Sequence, residues 1–91
     1  MRDDKFIKDS IKMDLYRVVT AAGNINRAMP LQSIYEFMNH AGKDFEKTKL
    51  TNKELLLKQQ LQKLQNELPQ IKDPHSRLRW AEDILTIRCR L

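Results

Sequence analysis

The groups in this sequence able to do acid–base, nucleophilic or metal chemistry are His40, His75, Cys89 and twelve carboxylates. Catalysis needs such groups in matched pairs: a nucleophile beside a base, two carboxylates across a gap, or several ligands around one metal. The spacing offers none of these. No HxxxH or HExxH pattern occurs, and a lone cysteine cannot build a structural zinc site. His75 and Cys89 are fourteen residues apart on one expected helix, about 21 Å along its axis, so they cannot pair within the chain. Gly23 and Gly42 stand alone, which excludes a glycine-rich phosphate loop. The adjacent pairs Asp3-Asp4 and Glu82-Asp83 read as helix-end and solvated charges. The expectation is a protein with no catalytic residues, no metal site and no cofactor.

The residues with most to say about function are apolar and basic ones near the C-terminus. On a helix turning 100° per residue, Leu78, Ala81, Leu85 and Cys89 fall on one line, and Trp80, Ile84, Ile87 and Leu91 on another. The two lines are separated by roughly 160–180°. A surface helix needs one apolar stripe; a helix with two is covered on two sides. Either both stripes are covered inside this domain, or one meets a second chain. Tryptophan and arginine are enriched where partners bind most tightly. Trp80, flanked by Arg77 and Arg79, therefore makes Trp80, Ile84, Ile87 and Leu91 the expected protein-binding face. The partner would be another protein or a second copy in a homodimer. Cys89 reads as a small buried hydrophobe.

The alternative is nucleic-acid binding through Arg77, Arg79, Arg88 and Arg90, with Lys58 and Lys63, all contacting phosphates. The net charge of +5 permits it. Its distribution does not favour it. Basic residues exceed acidic ones by one over residues 1–22, by one over 23–50, by two over 51–72 and by one over 73–91. No basic run or tail emerges, whereas a nucleic-acid footprint gathers lysine and arginine on one face. The stretch Ala22-Gly23-Asn24-Ile25-Asn26-Arg27-Ala28 resembles the start of some helix-turn-helix segments. Pro30 breaks the helix that such a motif would need to continue.

These residues must be carried by helices. A chain of 91 residues is one domain's worth, here residues 1–91 as a single unit. Two glycines and three prolines are too few for the turns of an all-β chain. The pattern predicts an all-α bundle of about four helices with antiparallel neighbours. The first runs from Asp4 to Ala22, its stripe being Ile7, Ile11, Leu15, Val18 and Ala22, with Gly23-Asn24 as a left-handed stop. Asn24 to Met29 connects, and Pro30 opens the second helix at its first turn. Leu31, Ile34, Met38 and Ala41 form that helix's stripe, Gly42 ends it, and a polar loop over 42–50 is anchored by Phe45.

The third helix has the clearest start. Thr51 and Glu54 match a capping box, with Leu50 and Leu55 at staple positions. Leu57, Leu61, Leu64 and Leu68 form its seam, and Pro69 stops it. Asp73 caps the fourth, with Pro74 in its first position.

No apolar run approaches the roughly 18 residues of a membrane span. The opening Met1-Arg2-Asp3-Asp4-Lys5 lacks the apolar core of a secretory signal. With a single cysteine, the expected setting is a reducing one, the cytoplasm. A chain this short buries only about 60–65% of its unfolded surface. A partner would add to a thin stability margin.

Overall fold

The first helix, α1 (Asp4–Gly23), places every residue of its expected stripe inside. Three more helices follow: α2 (Leu31–Glu46), α3 (Asn52–Glu67), which runs into a single 3₁₀ turn (Leu68–Gln70), and α4 (Pro74–Arg90). The structure, a computed structural model, describes residues 4–91, with side chains from Lys5 onward; the expected roles of Asp3 and Asp4 lie outside those side chains. Among the described residues there is no strand, and no helix is long and apolar enough to cross a membrane. The bundle measures 41 × 21 × 19 Å, about two helices thick.

Pairings between helices set their directions. Ser10 meets Asp44, Asp14 meets His40 and Arg17 lies over Phe37, so α1 and α2 are antiparallel. Arg77 reaches Ala21 and Ala22 while Arg88 reaches Lys12, so α4 also runs antiparallel to α1. The helix α3 packs between α2 and α4 and is tied to α1 by Lys8 and Glu54, whose charged ends are 2.7 Å apart. Ile11, Leu15, Val18, Ile34, Met38, Phe45, Leu57, Leu61, Leu68, Trp80 and Ile84 fill the centre.

Helix starts follow local chemistry. The Glu54 N–H donates to Thr51 Oγ1 and the Thr51 N–H to Glu54 Oε1, each at 3.1 Å, which completes the capping box. Asp73 accepts from the Ser76 N–H at 2.9 Å, and Pro74 needs no acceptor in the first turn. The staple is not a buried pair: Leu50 packs against the core, but Leu55 remains exposed.

Lys8, and then the Thr51 N–H, hold the Glu54 carboxyl below its usual value. A lowered carboxyl adds stability above its unfolded value of about 4.5 and loses it as pH falls through the folded one. Thr51→Ala should destabilise the chain by about 1 kcal/mol. Glu54→Gln should flatten the acid limb of the stability–pH curve measured by urea unfolding. An acid limb identical in Glu54→Gln and the native chain would remove Glu54 from that role.

Two helix ends depart from expectation. Gly42 does not stop α2, which continues to Glu46. Phe45, four residues beyond Ala41 on the same face, is 1% exposed. Burying a phenylalanine is worth about 1.5–3 kcal/mol, whereas a helical glycine costs about 1 relative to alanine, so the helix carries Phe45 inward. The expected 42–50 loop shortens to residues 47–51. Gly23 does not adopt the left-handed conformation; neither glycine has positive φ. The carbonyls at the end of α1 are satisfied by a side chain from α4 instead.

Candidate functional site

That side chain is Arg77, 8% exposed and placed where α4 starts beside the end of α1. Its Nε donates to the Ala22 carbonyl at 2.6 Å, Nη1 to Arg27 at 2.7 Å, and Nη2 to Asn24 at 2.8 Å and Ala21 at 3.2 Å. Among the described residues no carboxylate pairs with it. Unpaired carbonyls and the negative end of the helix dipole supply the counter-charge. Arg77 was expected among the phosphate-binding residues. The structure corrects this, because its donors are turned inward onto backbone.

The other expected phosphate ligands do not converge. Arg88 is half-buried; its Nε donates to the Lys12 carbonyl at 3.2 Å and its guanidinium lies 5.6 Å from the Tyr16 ring centre. Lys63 and Arg90 line a groove between α3 and α4 that also holds Glu67 and Asp83, so its charge is mixed. Arg79 lines a neighbouring groove, again with Glu67 and Asp83. Lys58 is half-buried on α3.

The expected contact face also requires correction. Trp80, Ile84 and Ile87 are at most 2% exposed, and Leu91 packs partly against the same core. The Trp80 indole N–H donates to the Leu64 carbonyl at 2.8 Å. That carbonyl lies near the end of α3, where the chain tightens and the Leu68 N–H turns to Gln65. This stripe is heavier than the other, one tryptophan and two isoleucines against two leucines and an alanine. Hydrophobic burial scales with apolar area, so the heavier side faces in. The second line of α4 looks outward: Leu78 and Leu85 are about two-fifths exposed and Cys89 is exposed, with Ala81 alone buried. On α1, Phe6, Met13 and Tyr16 are also exposed.

Among the described residues, a dense polar cluster lies between α1 and α2. Asp14 and Asp44 are buried, and His40, one helical turn before Asp44, covers them from the surface. His40 Nδ1 is in direct contact with Asp14 Oδ2 and lies 3.6 Å from Asp44 Oδ2. Ser10 Oγ donates to Asp44 Oδ2 at 2.8 Å. The far oxygens face cations: Arg17 Nη1 stands 3.3 Å from Asp14 Oδ1, and Lys47 Nζ 3.6 Å from Asp44 Oδ1. Asp44 Oδ1 is buried and accepts no hydrogen bond. Among the described residues, Asp14, His40 and Asp44 form a group able to place three metal-ligand atoms within 4.8 Å of one another.

Histidine pairs and histidine–cysteine spacing do not reveal this cluster, because its members come from two helices. The signal available was Asp14 and Asp44 each sitting next to an apolar-stripe residue, Leu15 and Phe45, with His40 four residues before Asp44. A carboxylate at the edge of a stripe faces a neighbouring helix, and a charge there needs a partner. No family model matches the sequence, and comparison with curated proteins and with solved structures finds no match to this chain.

Proposed function

We propose that this chain is a non-catalytic helical protein-binding module that acts through the outer line of α4, with a second copy of itself as partner. The observation that carries the proposal is the outward exposure of Leu78 and Leu85, two turns apart on a helix already covered along its heavier side. Two such helices related by a two-fold axis midway between the leucines set Leu78 of each copy opposite Leu85 of the other. The stripe thus complements itself, as an isologous dimer requires. Arg79, Glu82 and Arg90 would border the contact as a polar rim.

The test is the solution mass of the native chain and of the double variant Leu78→Glu, Leu85→Glu, by light scattering at low and moderate salt. The expected result is a dimer for the native chain at both salts and a monomer of unchanged helicity for the variant. Both leucines are partly exposed, so their replacement leaves the core intact. A native monomer at every concentration and salt would sink the dimer. A monomer that instead binds DNA or RNA with an affinity falling steeply with salt would establish the alternative, in which exposed Arg79, Arg90 and Lys63 contact phosphates.

A further inference from the structure

Asp14, His40 and Asp44 carry more than a clip between two helices. Each carboxylate turns one oxygen, Oδ2, toward His40 Nδ1 and leaves the other, Oδ1, beside a cation. A single ring nitrogen holds at most one proton, so it can donate one strong hydrogen bond to the two oxygens facing it. Ser10 supplies a hydrogen bond to Asp44 Oδ2. Asp44 Oδ1 stays without one, although its residue is 1% exposed. Arg17 and Lys47 are each more than half exposed, so solvent screens their charges from the buried pair. Two buried carboxylates beside one imidazole, with Asp44 still one hydrogen bond short, form an arrangement that a divalent cation would neutralise.

We propose that Asp14 Oδ2, Asp44 Oδ2 and His40 Nδ1 bind one divalent transition-metal ion, with water completing its shell. An ion held at about 2.0–2.1 Å by nitrogen and carboxylate oxygen keeps those two atoms roughly 3–3.5 Å apart. The His40–Asp44 separation of 3.6 Å is only slightly wider than this spacing. The His40–Asp14 contact must open, and His40, with 57% of its side chain exposed, is free to rotate.

Residues behind the ligands aid the geometry. Ser10 on Asp44 and Arg17 on Asp14 fix the carboxylate planes, as groups behind metal ligands commonly do. The donor set selects the ion. An imidazole with two carboxylates suits zinc or manganese, whereas calcium takes shells made of oxygen, to which a ring nitrogen is poorly matched. Of these two, zinc binds more tightly at an equivalent site. The ion would join α1 to α2 from the side opposite α4, independently of any contact along Leu78 and Leu85.

Calorimetric titration of the full chain with zinc, manganese and magnesium tests this, in a Cys89→Ser background because Cys89 is an exposed thiol. One zinc per chain is expected, with weaker manganese binding and none for magnesium. His40→Gln and Asp14→Asn should each lower zinc affinity at least about tenfold, while His75→Gln should leave it unchanged. His40 carries the test because its exposure lets the variant fold even if the Asp14 variant does not. Zinc bound equally by the native chain and by His40→Gln would overturn the site. So would no stoichiometric binding at all, which would leave the cluster a hydrogen-bonded clip.

Discussion

Replacing Trp80 with alanine is expected to destabilise the chain by about 3–5 kcal/mol, the range for large aromatic deletions in a core. Small domains hold only about 5–15 kcal/mol in total, so the variant should be largely unfolded on modest heating. Two terms add. The ring's contacts with the centre of the bundle are lost, and the Leu64 carbonyl loses the indole N–H that it accepts. Trp80→Phe separates them: it keeps most of the packing, removes the donor, and should cost about 1–3 kcal/mol, the penalty for leaving one buried polar group unpaired.

The measurement is urea unfolding followed by tryptophan emission in the native chain, which has one tryptophan, and by circular dichroism in the variants. Native emission should be that of an apolar environment and shift to the red on unfolding. The decisive contrast is with the outer line of α4. Trp80 variants should lose stability, whereas Leu78→Glu with Leu85→Glu should lose association. A Trp80→Ala chain that stays fully helical and stable but fails to associate would return Trp80 to the contact face.

Arg77→Ala should be nearly as damaging, at about 2–4 kcal/mol. The carbonyls of Asn24 and Arg27 belong to exposed residues and can turn to water. Those of Ala21 and Ala22 are at the buried end of α1, and leaving each unpaired costs about 1–3 kcal/mol. Lysine should recover little. It keeps the charge but has one compact head group, whereas the guanidinium spreads its donors in a fixed fork over four carbonyls.

Urea unfolding of Arg77→Ala and Arg77→Lys checks this, with hydrogen exchange at the last turn of α1 as a local readout. Exchange there should quicken in both variants more than in α3. A loss under 1 kcal/mol for alanine would mean that water replaces the guanidinium without penalty. Arg77 would then be a surface cation again, available for phosphate.

The amino-acid sequence by itself determined the elements. Helix starts at Thr51 and Asp73 were legible because a cap is a contract among residues three or four apart, complete before any tertiary contact forms. The stripes of α1 and α3 were legible for a similar reason. A single apolar line at helical spacing has only one way to face a core, and Ile7 through Ala22 and Leu57 through Leu68 took it.

The tertiary structure decided what local spacing leaves open. Two apolar lines on α4 satisfy the helical period equally, so the choice between them rested on which one the other three helices could cover. The greater bulk of Trp80, Ile84 and Ile87 turned that side inward, leaving Leu78 and Leu85 exposed on the other. Gly42 looked like a stop because glycine is poor in helices, but Phe45 gains more by burial than the glycine loses. Arg77 looked like a surface cation because its partners are backbone carbonyls fifty or more residues away, and carbonyls have no sequence signature. Asp14, His40 and Asp44 became one site only when α1 and α2 packed antiparallel. Charges at the edge of two stripes reveal their chemistry only once the stripes meet.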